Sequence, residues 1–146
     1  MRESSQDKYY LEKEGDDFFK RNFANKDLSE LRHSKKIIFE EIQESGISYQ
    51  KVLEYGCNFG DLLFHFKQQQ QVQECIGVEA SNQAMTFGKQ KFGNSINLVN
   101  GTIANNQIND DAKFENYFDL IIIDDVFGWV SRETLFQSVS NIDNVL

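Results

Sequence analysis

Four short apolar runs, each followed by turn residues and then a helical stretch, constrain this chain more than any other feature. They are KVLEYG (51–56), ECIGVEA (74–80), INLVNG (96–101) and FDLIIIDDV (118–126). Apolar side chains on consecutive positions suit strands covered on both faces. The helical stretches are GDLLFHFKQQ (60–69), SNQAMTFGKQKF (81–92) and, after the last strand, SRETLFQSVSNIDNVL (131–146). Ser81 and Ser131 stand where helix caps belong. Strands alternating with helices predict right-handed crossovers and an open parallel sheet, an architecture that takes ligands at the carboxyl ends of its strands.

Upstream of this pattern, DLSELRHSKKIIFEEIQES (27–45) sets Leu28, Leu31, Ile37, Ile38 and Ile42 at helical spacing, with Gly46 suited to end the helix. The run DDFFKRN (16–22) predicts a shorter helix carrying Phe18 and Phe19, preceded by a charged and mobile tail. The division expected is therefore an amino-terminal extension over 1–26 and one domain over 27–146. A chain of 146 residues is long enough to bury a single core.

Charge and composition exclude several classes. The formal net charge of −8 opposes a phosphate backbone, and the basic runs KRNFANK and LRHSKK read as solvated helix faces, so no nucleic-acid partner is expected. No apolar run approaches membrane length, and the opening MRESSQDKYY lacks the apolar core of a signal peptide, which points to a cytoplasmic protein with no membrane partner. Cys57 and Cys75 form no CxxC pattern and His33 and His65 are far apart, so two reduced cysteines and no metal are expected.

The chemistry concentrates in EYGCNFG (54–60). An acidic residue ends the first strand, and Gly56 and Gly60 flank the turn before a helix. Glycine lets a ligand come close to the backbone, helix amino-terminal N–H groups face it, and Asn58 is the non-glycine residue that best tolerates left-handed dihedrals. A dinucleotide fingerprint would require glycines at 58 and 61, which are Asn58 and Asp61. Glu54 and Asp61 also repel a pyrophosphate and favour a ligand with a cationic centre.

These residues resemble the first motif of the class I S-adenosylmethionine-dependent methyltransferases, an acidic residue followed by x-Gly-x-Gly-x-Gly. Glu54, Gly56 and Gly60 match it, and Asn58 replaces the middle glycine. The resemblance extends to Glu79, at the end of the second strand, as the carboxylate that accepts from two ribose hydroxyls. Thr102 and Ile103, in NGTIAN, stand where adenine is contacted. In FDLIIIDDVFGWV, Asp125 takes the family's acidic position, and Phe127, Gly128 and Trp129 enter the loop lining cofactor and substrate. Relatives commonly carry Glu-His where Gly128 and Trp129 stand, so the histidine base is not matched.

The resemblance covers roughly 35–146 and the small-molecule branch of the family. It implies a Rossmann-like α/β fold with strand order 3-2-1-4, lacking the carboxyl-terminal strands that complete the family sheet. The implied function is methyl transfer from S-adenosyl-L-methionine to a small-molecule acceptor, by in-line displacement at a sulfonium. The implied cofactor-binding residues are Glu54, Gly56, Cys57, Asn58, Gly60, Glu79, Ala80, Thr102, Ile103, Asp125 and Val126. Asp124 and Asp125 are the candidate catalytic bases, with capping of the loop as their plain structural alternative. Phe18, Phe19, Arg21 and Asn22 are a candidate lid, with simple packing the alternative. A stretch ending at Leu146 reads as a truncated domain, leaving the fourth strand as an open edge for a homo-oligomer to cover. A non-catalytic S-adenosylmethionine-binding fragment and a nucleotide-binding or structural module are the competing readings.

Overall fold

The computed structural model describes residues 4–146 and contains one four-stranded parallel sheet of order β3-β2-β1-β4. The strands are β1 (Lys51–Tyr55), β2 (Glu74–Glu79), β3 (Asn97–Asn100) and β4 (Leu120–Ile123). In register, β1 sits between β2 and β4, with Leu53 opposite both Ile76 and Ile121. The Rossmann-like order expected from the sequence is the observed one.

Residues alternate between the two faces along β1, as the pleat requires. Val52 packs on one side against Leu62, Leu63, Phe66 and Cys75, under α3 (His33–Ser45), α4 (Asp61–Lys67) and α5 (Asn82–Phe92). Leu53 and Tyr55 pack on the other side against Ile76, Val78, Phe118 and Val145. That second face is covered by the short α6 (Gln107–Asp110), which the periodicity did not indicate, and by α7 (Leu135–Val145).

Three helical expectations change. The helix predicted over 27–45 starts only at His33. Asp27 Oδ1 accepts from the Ser29 N–H at 2.9 Å, a local bond that turns the chain instead of extending the helix. Its end is as expected, with Gly46 left-handed at φ 71°. The last helix starts at Leu135 rather than Ser131, because Ser131 Oγ accepts from the Thr134 N–H and closes a separate turn.

The stretch before Phe18, expected as a mobile tail, is helical through α1 (Ser5–Tyr9), a π-helical turn (Tyr10–Glu14) and α2 (Gly15–Asn22). Ser4 and Asp7 form a reciprocal capping box that starts it. Residues 1–3 of that tail lie outside the described residues.

Gly15 is where this segment meets the sheet. A Cβ there would sit 3.1 Å from Ser81 N and 3.2 Å from Ala80 C, so a side chain would push α2 off the end of β2. Asp16 Oδ1 then accepts from Ser81 Oγ at 2.7 Å and the Gln83 N–H at 2.9 Å, tying α2 to the start of α5. Phe19, Phe23, Phe59 and Phe87 fill the space beside this tie. On α7, Phe136 is 86% exposed and Val139 half exposed. No helix among the described residues is long and apolar enough to cross a membrane.

Candidate functional site

At the carboxyl ends of β1, β2 and β4 lies a cavity of about 250 Å³. Its floor is the β1–α4 loop. Gly56 has φ 71° and Asn58 φ 55°, so the left-handed tolerance read from Asn58 is used. A Cβ on Gly56 would lie 2.5 Å from Val126 Cγ2, which fixes glycine there. Asn58 is 9% exposed, and its Oδ1 has no hydrogen-bond partner, an unusual condition for a buried acceptor.

Glu79 lines the same space. Its Oε2 accepts from the Asn58 N–H at 2.7 Å and its Oε1 from the Ser81 N–H at 2.8 Å. Two backbone donors thus fix the carboxylate while each oxygen keeps a lone pair for a ligand. Burial pushes this carboxyl above the ordinary range, opposed by those N–H donors. Beyond it, Ala80, Thr102 and Ile103 form one wall, and Asp124, Asp125, Val126 and Trp129 another. Asp125 is left-handed at φ 57°, a conformation Asp adopts more readily than most residues. This turn carries the chain off the end of β4 and across the cavity mouth.

The roof is the amino-terminal segment. Asp7, Tyr10, Gly15, Phe18, Phe19 and Phe23 line it. Of the candidate lid residues, Phe18 and Phe19 are therefore in place. Arg21 is exposed and pairs with Glu14, and Asn22 bonds back to Phe18 O. Burial, then the charge of Glu79, pushes the Tyr10 phenol up to about 12, so it remains neutral in ordinary conditions. Gln6 Nε2 donates to Trp129 O at 2.5 Å, and the Tyr10 and Trp129 rings lie 5.5 Å apart. The roof thereby meets the wall that follows β4.

Three of the expected cofactor contacts do not line the cavity. Glu54 is 0% exposed and shares the face of β1 that carries Val52, so it points under α3. There Lys35 Nζ lies 2.8 Å from Glu54 Oε1 and 3.0 Å from Asp124 Oδ2. Burial works against the Lys35 ammonium, but the two carboxylates outweigh it and hold its pKa above the ordinary lysine value. Cys57 is buried against Gly77, and burial raises its thiol well above the usual range, which makes it inert. Gly60 is the left-handed N-cap of α4, where a Cβ would run into Ile96 and Leu98, so packing explains it.

The basic run LRHSKK, read as a solvated face, is divided. Lys36 is exposed, whereas Lys35 is 4% exposed and lines the cavity. Arg32 also reaches it, held by two bonds of 2.6 Å to the Asp61 carboxylate and resting on the Phe23 and Phe59 rings. Neither residue carries a local sequence signal, because both owe their burial to partners far along the chain.

The family model described as "Methyltransferase domain" matches residues 53–146. No curated protein sequence matches the chain. Among solved structures, a Methanococcus maripaludis protein assigned as an S-adenosyl-L-methionine-dependent methyltransferase is 16% identical with a TM-score of 0.62, the match covering 100% of this chain and 62% of that one. YcgJ of Bacillus subtilis is 22% identical with a TM-score of 0.59, over 79% of this chain and 47% of its own. An amino pentose methyltransferase of Micromonospora echinaspora, solved with SAM bound, is 14% identical with a TM-score of 0.61, over 77% and 45%. At these identities the likeness is one of fold, and this chain spans about half the length of the structures it matches.

Proposed function

Because this chain belongs to the methyltransferase-domain family, we propose that its cavity binds S-adenosyl-L-methionine and that the protein transfers the methyl group to a small-molecule acceptor. The observation that carries the reading is the triangle of Gly56, Asn58 and Glu79. A side-chain-free approach, a buried acceptor without a partner and a fixed carboxylate belong to residues that line one space at the ends of β1 and β2.

The residues fit the group. The carboxylate of Glu79 suits a pair of ribose hydroxyls. Asn58 Oδ1 suits the ammonium of the methionine moiety, which would satisfy an acceptor now lacking a donor. Ile103 offers an apolar surface and Thr102 a hydroxyl at the wall expected to meet adenine. Among the lining residues the carboxylates of Asp7, Glu79, Asp124 and Asp125 outnumber the cations of Arg32 and Lys35, which favours a positively charged nucleoside.

When bound, S-adenosylmethionine supplies a methyl group already activated by its cationic sulfur. The chain's part is then mainly to hold two reactants in line, an effect worth up to about 7–11 kcal/mol. Tyr10, Phe18 and Phe19 of the roof narrow the space in which the two reactants meet. Asp124 is held by Lys35, which leaves the exposed Asp125 as the carboxylate able to take a proton from an acceptor at the mouth.

Calorimetric titration with S-adenosylhomocysteine tests the reading. One-to-one binding that is abolished by Glu79→Ala supports it. No heat with the wild-type protein, under conditions where it is folded, refutes it.

A further inference from the structure

Three aromatic rings and one carboxylate converge where the roof meets the loop after β4. Trp129 lies 5.5 Å from Tyr10 and 6.2 Å from Phe18, centroid to centroid, tilted in one pair and edge-on in the other. All three line the cavity, and Trp129 is 42% exposed, so the cluster is open to solvent rather than sealed in the core. The other carboxylates of the cavity are engaged: Asp7 by Ser4, Glu79 by two backbone N–H groups, Asp124 by Lys35. Asp125 is the one left without a donor among the described residues, and it is exposed at the same mouth.

Building on the methyl-transfer reading, we propose that the acceptor is an amine, recognised at this mouth by Tyr10, Phe18, Trp129 and Asp125. Aromatic faces attract a cation through their quadrupoles, and a nearby unpaired carboxylate adds a charge that a carboxylate or phosphate acceptor would find repulsive. The cluster draws its rings from the amino-terminal roof and from the segment after β4, so it exists only when both are docked. Gln6, donating to Trp129 O, holds them together.

The step balances with no further reactant than the methyl donor. The ammonium first gives one proton to Asp125 or water, and the freed lone pair on nitrogen forms the new N–CH3 bond. The C–S bond breaks with its electron pair remaining on sulfur, and the methylated nitrogen again carries the positive charge. An amine whose proton is lost at the mouth needs no histidine, consistent with Gly128 and Trp129 standing where a Glu-His pair was looked for.

Trp129 is the only tryptophan in the chain, so its emission reports this mouth directly. The full chain, saturated with S-adenosylhomocysteine, is titrated with choline and with 3,3-dimethylbutan-1-ol, which has the same shape without the charge. The expected result is a saturable change in Trp129 emission with choline, at least tenfold weaker with the neutral probe. Tyr10→Leu should weaken the choline response by about 2- to 30-fold, the range of one cation–aromatic contact. Asp125→Asn preserves the left-handed turn, because Asn adopts it readily, and should lower the preference for the charged probe. Equal responses to the two probes overturn the amine assignment. So does choline competing with S-adenosylhomocysteine, because the rings would then serve the cofactor's own cation. If S-adenosylhomocysteine itself fails to bind in a separate calorimetric titration, the parent reading falls and takes the acceptor role with it.

Discussion

Lys35 Nζ lies 2.8 Å from Glu54 Oε1, an ion pair in which the side chains are 5% and 0% exposed. A charge of either sign left alone at that depth is costly, so removing one partner should destabilise by about 3–5 kcal/mol. The pH dependence of Lys35→Met follows from the shifts. Burial raises the Glu54 carboxyl, with Lys35 drawing it back down, so without Lys35 the carboxyl rises further. The penalty is then greatest near neutral pH, where Glu54 must ionise, and shrinks as acid protonates it. In the native protein the Lys35 pKa is raised, so its contribution is complete below the ordinary lysine value of about 10.4 and disappears as pH climbs through the higher folded value. Urea unfolding of Lys35→Met across pH 4 to 9 checks the first trend.

Gly56 and Gly128 provide a matched pair of substitutions. Alanine at Gly56 meets Val126 at 2.5 Å in a left-handed backbone, whereas alanine at Gly128 meets nothing within 4 Å. Gly56→Ala should lose about 1–3 kcal/mol of stability and most S-adenosylhomocysteine affinity. Gly128→Ala should stay within about 0.5 kcal/mol. Thermal unfolding together with calorimetry reads both.

Asn58→Gly separates binding from stability. Glycine keeps the left-handed turn and removes an acceptor that is buried without a partner. Folding stability should be unchanged or slightly higher, while S-adenosylhomocysteine binding weakens by about 1–2 kcal/mol. A parallel loss of stability and binding would mean that the side chain serves the loop rather than the ligand.

Asp16→Ala should loosen the roof without disturbing the sheet. The carboxylate serves the Ser81 hydroxyl and the Gln83 N–H, so its loss should cost about 0.5–2 kcal/mol. Hydrogen exchange should quicken through residues 5–22 while β1 and β2 stay protected. Uniform acceleration would show instead that roof and sheet open as one unit.

The sheet was legible because its strands are apolar on consecutive positions, a pattern that survives any local detail, and the strand order followed from the family resemblance. Asn58 and Glu79 were legible for a related reason: a left-handed preference and a strand-end carboxylate are local properties. Glu54 was not, although the information was present. It shares parity with Val52, and α3 covers that face, so its side chain had to point beneath the helix rather than into the cavity.

Lys35 and Arg32 were hidden for a different reason. A lysine on an amphipathic helix ordinarily faces water, and only the partners at Glu54, Asp124 and Asp61 reverse that. Tyr10 and Phe18 reach the cavity because the helix carrying them lies across the sheet's end, a docking fixed by Gly15 and Asp16 and by nothing local to the aromatic residues themselves. The false helix start at Asp27 shows the converse, where one side-chain bond to Ser29 overrode a spacing that was otherwise helical.

A crystal structure of the chain with S-adenosylhomocysteine should show both ribose hydroxyls within hydrogen-bond distance of the Glu79 carboxylate, and the amino group of the amino-acid end at Asn58 Oδ1 beside Gly56. A nucleoside bound elsewhere, or seated in this cavity with Glu79 making no contact to the sugar, would contradict the proposed cofactor site.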